Sequence, residues 1–152
     1  MAASGKVFDS ERTNGLPRGG ATTYNQGTFI GAANYLGRTN DAMLAADYTM
    51  RRISSDGILP QYGERGNNSG FNAIFIRWLV VFMKDRGLQS RYQPWLQLNA
   101  EAAWKVRRTS DNLSWCQWRE QTPATANLNS WGCISSVESM LAVFATSTPP
   151  GK

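Results

Sequence analysis

The amino-acid sequence predicts an all-α fold built from helix hairpins. Five segments carry large apolar residues at helical spacing, and no segment has the strict alternation typical of a strand. Segments that are apolar almost all round alternate with segments that are apolar on one face only. Long loops separate the pairs, and a repeat of this kind suits inner and outer helices stacked in pairs.

The first two predicted helices form one hairpin. The first runs over residues 25–36, where large apolar side chains recur at helical spacing. The second is capped by Asn40 or Asp41 and carries its apolar face as far as Ile53. Asp56-Gly57 ends it and opens the long loop DGILPQYGERGNNSG, of a kind that is often functional.

The next hairpin contains the most apolar segment of the chain. Residues 71–83 are apolar almost all round, which predicts a helix buried on most sides, and Arg86-Gly87 closes it. We expect Arg77, in its middle, to be buried against a carboxylate or carbonyl, because an unpaired buried guanidinium is costly. An amphipathic outer helix follows from Ser90 to Val106.

A last helix follows the second long loop, which covers residues 109–129. Its predicted apolar stripe consists of Cys133, Val137, Met140, Leu141 and Phe144. Residues 1–20 are expected to be an irregular lead-in and residues 147–152 a frayed tail, so that residues 1–152 form a single partial domain.

Composition excludes several classes of protein. The chain has 152 residues, of which 41% are hydrophobic and 18% charged, enough for one ordinary core. Its net charge of +5 is scattered without a basic run, which argues against a nucleic-acid partner. The longest apolar stretch is well short of the roughly 18 residues that a membrane span needs. No secretion signal is visible, so the sequence predicts no location.

The chain contains no histidine and two cysteines. Metal sites built on imidazole and catalytic triads that use histidine are therefore excluded, and we expect neither a metal nor a cofactor. Cys116 and Cys133 can form a disulfide in an oxidising compartment or remain free thiols, and the sequence leaves both open.

Polar and aromatic residues stand where the inner helices begin. Because the inner helices all start after long loops, their N-termini gather at one end, and a pocket there would be lined by Tyr24, Asn25, Gln26, Phe71 and Asn72. The alternative for the first three is helix capping, and for Phe71 a place in the core.

Four segments resemble a known enzyme family. TTYNQGTFIGA, SDGILPQYGE, GFNAIFIRWL and AAWKVRRTSDNLSWCQW occur in the order found in the C-terminal half of glycoside hydrolase family 76, the α-1,6-mannanase-like enzymes. The resemblance covers residues 6–144. It implies about half of an (α/α)6 toroid, with a mannan-like polysaccharide or oligosaccharide bound across the mouths of the inner helices.

The resemblance also implies roles for individual residues. The amides of Asn25 and Gln26 would recognise sugar hydroxyls, and Phe71 would pack on a pyranose. Asp9 stands where the family tends to carry an acidic residue before this segment. Trp115, Trp118 and Trp131 surround the second loop, where they form either a sugar subsite or an ordinary hydrophobic cluster.

The family's catalytic signature is missing. That signature is an adjacent pair of aspartates on an earlier inner helix, and these 152 residues contain no Asp-Asp dipeptide. Because a retaining glycosidase needs two carboxyl groups about 5 to 5.5 Å apart, we expect glycan binding without hydrolysis and assign no catalytic residue.

Two alternatives remain, and one consequence follows for assembly. The chain would otherwise be a non-catalytic carbohydrate-binding module or a helical scaffold for a protein partner. Half a ring would leave flanks of inner helices such as residues 71–83 uncovered, which predicts either self-association or a rearranged closure that covers them.

Overall fold

The computed structural model describes residues 1–64 and 66–146, without the side chain of Ala145. The all-α prediction is confirmed, because five α-helices account for most of this part of the chain. They are α1 (Thr23–Tyr35), α2 (Thr39–Tyr48), α3 (Phe71–Arg86), α4 (Gln89–Lys105) and α5 (Ser130–Thr146). A π-helical turn (Thr49–Ile53) extends α2, and a 3-10 turn (Gly66–Gly70) precedes α3.

The helices form an inner layer of α1, α3 and α5 and an outer layer of α2 and α4. In the inner layer α3 lies between α1 and α5, while α2 packs on α1 and α4 packs on α5. The inner helices run parallel, since hydrogen bonds join the start of α3 to the starts of both neighbours. Thr23 bonds to Asn72 at 2.9 Å, and the Ala73 N–H donates to Ser135 at 3.3 Å.

Glycine allows α1 and α3 to approach closely. A β-carbon at Gly27 would lie 2.6 Å from the Cα of Phe75, and one at Gly31 would lie 2.5 Å from the Trp78 ring. At the far end, Asn34 donates to Asp85 at 2.6 Å and accepts from Arg86 at 2.8 Å. The two helices are therefore held together along their whole length.

The core follows the predicted burial of α3. Its covered face consists of Asn72, Ala73, Phe75, Ile76, Leu79, Phe82 and Met83. Arg77 falls outside this face and is exposed, so the expectation that it is buried was wrong. The flanks of α3 are also covered, by α1 and α5, which corrects the expectation that residues 71–83 would lack neighbours.

The last helix is oriented opposite to the prediction. The face of α5 that packs inside the protein contains Ser135, Ser136 and Ser139, all fully buried. Most of the predicted apolar stripe instead faces solvent, with Val137, Leu141 and Phe144 all more than half exposed. The small serine side chains fit a tight contact, and Ser135 donates to the Ser69 carbonyl at 2.7 Å.

Two local predictions also need correction. Helix α2 starts after Arg38, which offers no side-chain cap, so neither Asn40 nor Asp41 caps it. Asp41 lies in the first turn and forms an ion pair with Arg38 at 2.5 Å. The lead-in is not wholly irregular, because β1 (Ser10–Glu11) and β2 (Pro17–Arg18) pair antiparallel.

The predicted tail, residues 147–152, lies outside the described residues. Within residues 1–64 and 66–146, no helix combines the length and the apolar character that crossing a membrane requires.

We predict that Gly27→Ala destabilises the fold by roughly 1–3 kcal/mol, although alanine favours helix, because its methyl group would collide with the backbone of α3. Gly20→Ala is the control, since a β-carbon there meets nothing within 4 Å. Urea unfolding measures both. Equal stability of the two variants would contradict a fixed contact between α1 and α3.

Candidate functional site

A shallow pocket lies where the inner helices begin. It has a volume of about 300 Å³ and is lined by Tyr24, Asn67, Gly70, Phe71, Ile74 and Trp131. We call it the mouth pocket. Its walls come from the 3-10 turn before α3 and from the first turns of α1, α3 and α5, which the parallel inner layer brings to one end of the molecule.

Aromatic rings form two sides of the mouth pocket. On one side Tyr24 stacks on Phe71 with ring centroids 5.4 Å apart, and Tyr62 meets Phe71 edge-on at 5.2 Å. The Tyr62 hydroxyl accepts the Thr23 N–H at 2.9 Å, and burial raises the pKa of this phenol above its ordinary value. On the other side Trp131 is 52% exposed. An open indole beside stacked rings is a surface suited to flat apolar faces.

A polar chain lies beside the start of α1. The N-cap is Thr22, whose side chain accepts the Asn25 N–H and whose hydroxyl also donates to Asn25 Oδ1. Asn25 Nδ2 then donates to Asp9 Oδ1 at 3.3 Å. Asp9 is exposed and Asn25 almost wholly buried, so the carboxylate is the accessible end of this chain.

Gln26 and Asn72, in the first turns of α1 and α3, are both fully buried. Gln26 accepts the Val7 N–H at 2.6 Å and donates to the carbonyls of Gly5 and Ala45. Asn72 accepts from Thr23 and donates to the Pro60 carbonyl at 2.9 Å. Their amides therefore attach the lead-in and the first long loop to the helices and are not presented to solvent.

The three tryptophans of the second loop region do not share one environment. Trp118 is 3% exposed, and its indole N–H donates to Trp115 O and Ser136 Oγ. Trp115 is half-buried against the core and donates to the Glu120 carbonyl. Only Trp131 of the three lines the mouth pocket.

Sequence reasoning missed Tyr62 and Asn67 as residues of this site. Both lie in the long loop that was expected to be functional, and Tyr62 stands inside one of the family-like segments. For Tyr62 the available signal was an aromatic residue in the loop that leads from an outer helix into an inner one.

Both cysteines are free thiols. Cys116 is buried, and its thiol donates to Glu64 Oε1 at 3.0 Å. Burial raises the pKa of the Cys116 thiol far above its ordinary value, and the Glu64 carboxylate raises it further. In the part of the chain that the structure describes, no group of three histidine, cysteine or acidic side chains is placed to hold a metal.

We predict that stability falls as the pH rises above the ordinary thiol pKa of 9.0. The unfolded chain then loses the Cys116 proton while the folded chain keeps it, which favours unfolding. From pH 8 to pH 10, ionisation of this thiol in the unfolded chain lowers the free energy of unfolding by about 1.4 kcal/mol. Cys116→Ser keeps the donor but does not titrate, so it removes this part of the pH dependence. Urea unfolding at both pH values measures the difference; identical pH dependence in the two proteins would contradict it.

Solved structures share this fold. The GH76A α-1,6-mannanase of Salegentibacter sp. HEL1_6 matches with a TM-score of 0.82 at 24% identity, over 95% of this chain and 47% of that one. An inactive variant of that enzyme, in complex with α-1,6-mannotetrose, matches with a TM-score of 0.83 at 23% identity, over 97% and 48%. The Lin0763 protein of Listeria innocua gives 0.79 at 19% identity, over 95% and 44%.

The chain thus spans about half the length of these structures, and the five helices in its described residues correspond to about half of their α/α toroid. No curated protein sequence matches the chain. The family model of glycosyl hydrolase family 76 matches residues 2–149, which is almost the entire chain. The protein therefore belongs to glycosyl hydrolase family 76.

Proposed function

We propose that the mouth pocket binds α-1,6-linked mannooligosaccharides. The observation that carries this proposal is the exposed indole of Trp131 beside the Tyr24–Phe71 stack at the inner-helix mouths. Two inactive variants of a structural neighbour were solved with α-1,6-mannotriose and α-1,6-mannotetrose, which supports this class of ligand.

The residues of the pocket divide into contacts and supports. Trp131 and Phe71 offer apolar faces to a pyranose ring, and the Tyr24 hydroxyl offers both donor and acceptor to sugar hydroxyls. At the edge, the exposed carboxylate of Asp9 accepts a hydroxyl while Asn25 holds it in place.

For Gln26, Asn72, Trp115 and Trp118 we propose support from beneath. The side-chain amides of the first two and the indole N–H groups of the others already bind within the protein.

We propose further that these 152 residues bind the glycan without cleaving it. Glycoside hydrolysis by the usual route needs two carboxyl groups flanking the scissile bond. One structural neighbour is described as inactive when two consecutive aspartates are replaced by asparagine, and no two aspartates are adjacent here. The Glu64 carboxylate accepts the N–H groups of Cys116 and Asn129 and does not line the mouth pocket.

We predict that Trp131→Ala weakens binding of α-1,6-mannotriose roughly two- to twelvefold, because a stacking contact on one exposed aromatic ring is worth about 0.5–1.5 kcal/mol. Tyr35→Ala is the matched control: Tyr35 is a 73% exposed aromatic residue at the C-terminus of α1, at the end of the molecule opposite the mouth. Calorimetric titration measures affinity, and chromatography of the recovered trisaccharide measures cleavage.

Each outcome bears on one candidate function. Binding without cleavage supports the proposal, and cleavage above the buffer rate contradicts the non-hydrolytic part of it. If wild type binds the trisaccharide and Trp131→Ala binds it equally well, the glycan binds at another surface. No binding of any α-1,6-mannooligosaccharide would leave the protein-binding scaffold as the better explanation.

We also propose that two copies of the chain associate through their uncovered edges. On the α4–α5 edge an apolar groove of about 350 Å³ includes Trp104, Met140 and Phe144, the last 78% exposed. On the α1–α2 edge Leu36 and Leu44 are exposed. Since each copy carries both edges, a two-fold arrangement covers both apolar surfaces at once.

We predict a concentration-dependent dimer that Phe144→Glu converts to monomer, because a charge cannot be buried at an apolar contact without large cost. Leu113→Glu is the control, since Leu113 is exposed on a loop outside both edges. Sedimentation velocity measures the association. A wild-type monomer at all concentrations would refute the proposal.

A further inference from the structure

We propose that Glu64 is a positioning residue that fixes Trp131 at the mouth pocket. The inference rests on the proposed function, because it assigns to Glu64 the placement of the aromatic surface on which the sugar would pack. Glu64 itself does not line the pocket and would not touch the ligand.

The carboxylate of Glu64 joins the two long loops. Oε2 accepts the Asn129 N–H at 2.8 Å, and Oε1 accepts the Cys116 N–H at 3.2 Å and its thiol at 3.0 Å. All three donors belong to the second loop, whereas Glu64 belongs to the first. A carboxylate that accepts several such bonds holds its partners more strongly than a neutral group does.

Asn129 transmits this restraint to Trp131. Asn129 Oδ1 accepts the Trp131 N–H at 2.9 Å, and its Nδ2 donates to the carbonyls of Glu64 and Gly66. The first turn of α5 is thereby bound to the first loop. The negative charge of Glu64 also lies at the N-terminus of α5, where the helix dipole favours it.

Two glycines create the space that this arrangement needs. A β-carbon at Gly132 would lie 2.7 Å from Glu64 Oε1, and a β-carbon at Gly70 would lie 3.0 Å from Cε3 of Trp131. Close approach of the carboxylate to α5 and of the indole to the start of α3 both depend on the missing side chains.

The same loop fixes the opposite side of the pocket. Tyr62 lies two residues before Glu64, packs on Phe71 and binds the Thr23 N–H. Glu64 therefore sets how far Trp131 stands from the Tyr62–Phe71 side, which decides whether a sugar ring can touch both.

We predict that Glu64→Gln weakens binding of α-1,6-mannotriose about tenfold, because one carboxylate oxygen becomes an NH2 group that faces a backbone donor. Ile30→Val is the stability control: Ile30 is fully buried in α1, and the change costs about 1 kcal/mol without touching the loops. Calorimetry is run at a temperature where every variant is folded, and hydrogen exchange of the Trp131 amide reports its position without any ligand.

Weaker binding and faster Trp131 exchange in Glu64→Gln, with Ile30→Val like wild type, support the proposal. Equal loss of affinity in both variants, or unchanged exchange in Glu64→Gln, overturns it. If Glu64→Gln does not fold, Asn129→Ala replaces it in both measurements with the same expected results, since it removes the acceptor of the Trp131 N–H. Failure of wild type to bind the trisaccharide refutes the proposed function, while the exchange data still test the positioning.

Discussion

The contact between α1 and α3 is the constraint on which the rest of the molecule depends. Gly27 and Gly31 let the two helices approach so closely that Gly27 lies against the backbone of Phe75 and Gly31 lies against the indole of Trp78. Hydrogen bonds at both ends, between Thr23 and Asn72 and between Asn34 and Asp85, then fix the position of one helix along the axis of the other. Tyr24 can stack on Phe71 only because these two first turns lie at the same level, so the mouth pocket is a direct product of this helix contact.

Buried side-chain amides hold the irregular segments in place. Gln26 binds the lead-in, Asn72 binds Pro60, and Asn99 accepts the Leu59 N–H and donates to the Gly57 carbonyl. Asn129, which is half-buried at the end of the second loop, joins that loop to the first by donating to the Gly66 carbonyl. Each amide supplies a donor and an acceptor where backbone groups leave regular structure, so loops that make up the mouth are ordered by helices beneath it.

Helix α5 shows how the uncovered edge of the ring differs from its interior. Its buried face is built from serines that bond to neighbouring loops and helices, such as Ser136 with Trp118, and its large apolar residues face outward. The same helix therefore provides Trp131 to the pocket and Phe144 to the open edge. Binding of a glycan and association with another chain would use different ends of one helix.

The sequence by itself determined the helices, their alternation between inner and outer layers and the family, because apolar periodicity and ordered motifs are local properties. It also predicted that Tyr24 and Phe71 lie near one end, whereas Trp131 was predicted only to lie beside the second loop. Only the tertiary structure decided which polar residues face the mouth. In the sequence Gln26 and Asn72 cannot be distinguished from surface amides, but in the structure their side chains bond to nearby backbone carbonyls. The sequence also did not predict which face of α5 is buried. The neighbouring helices pack closely on the face that carries serines, and the face that carries large apolar residues is left exposed.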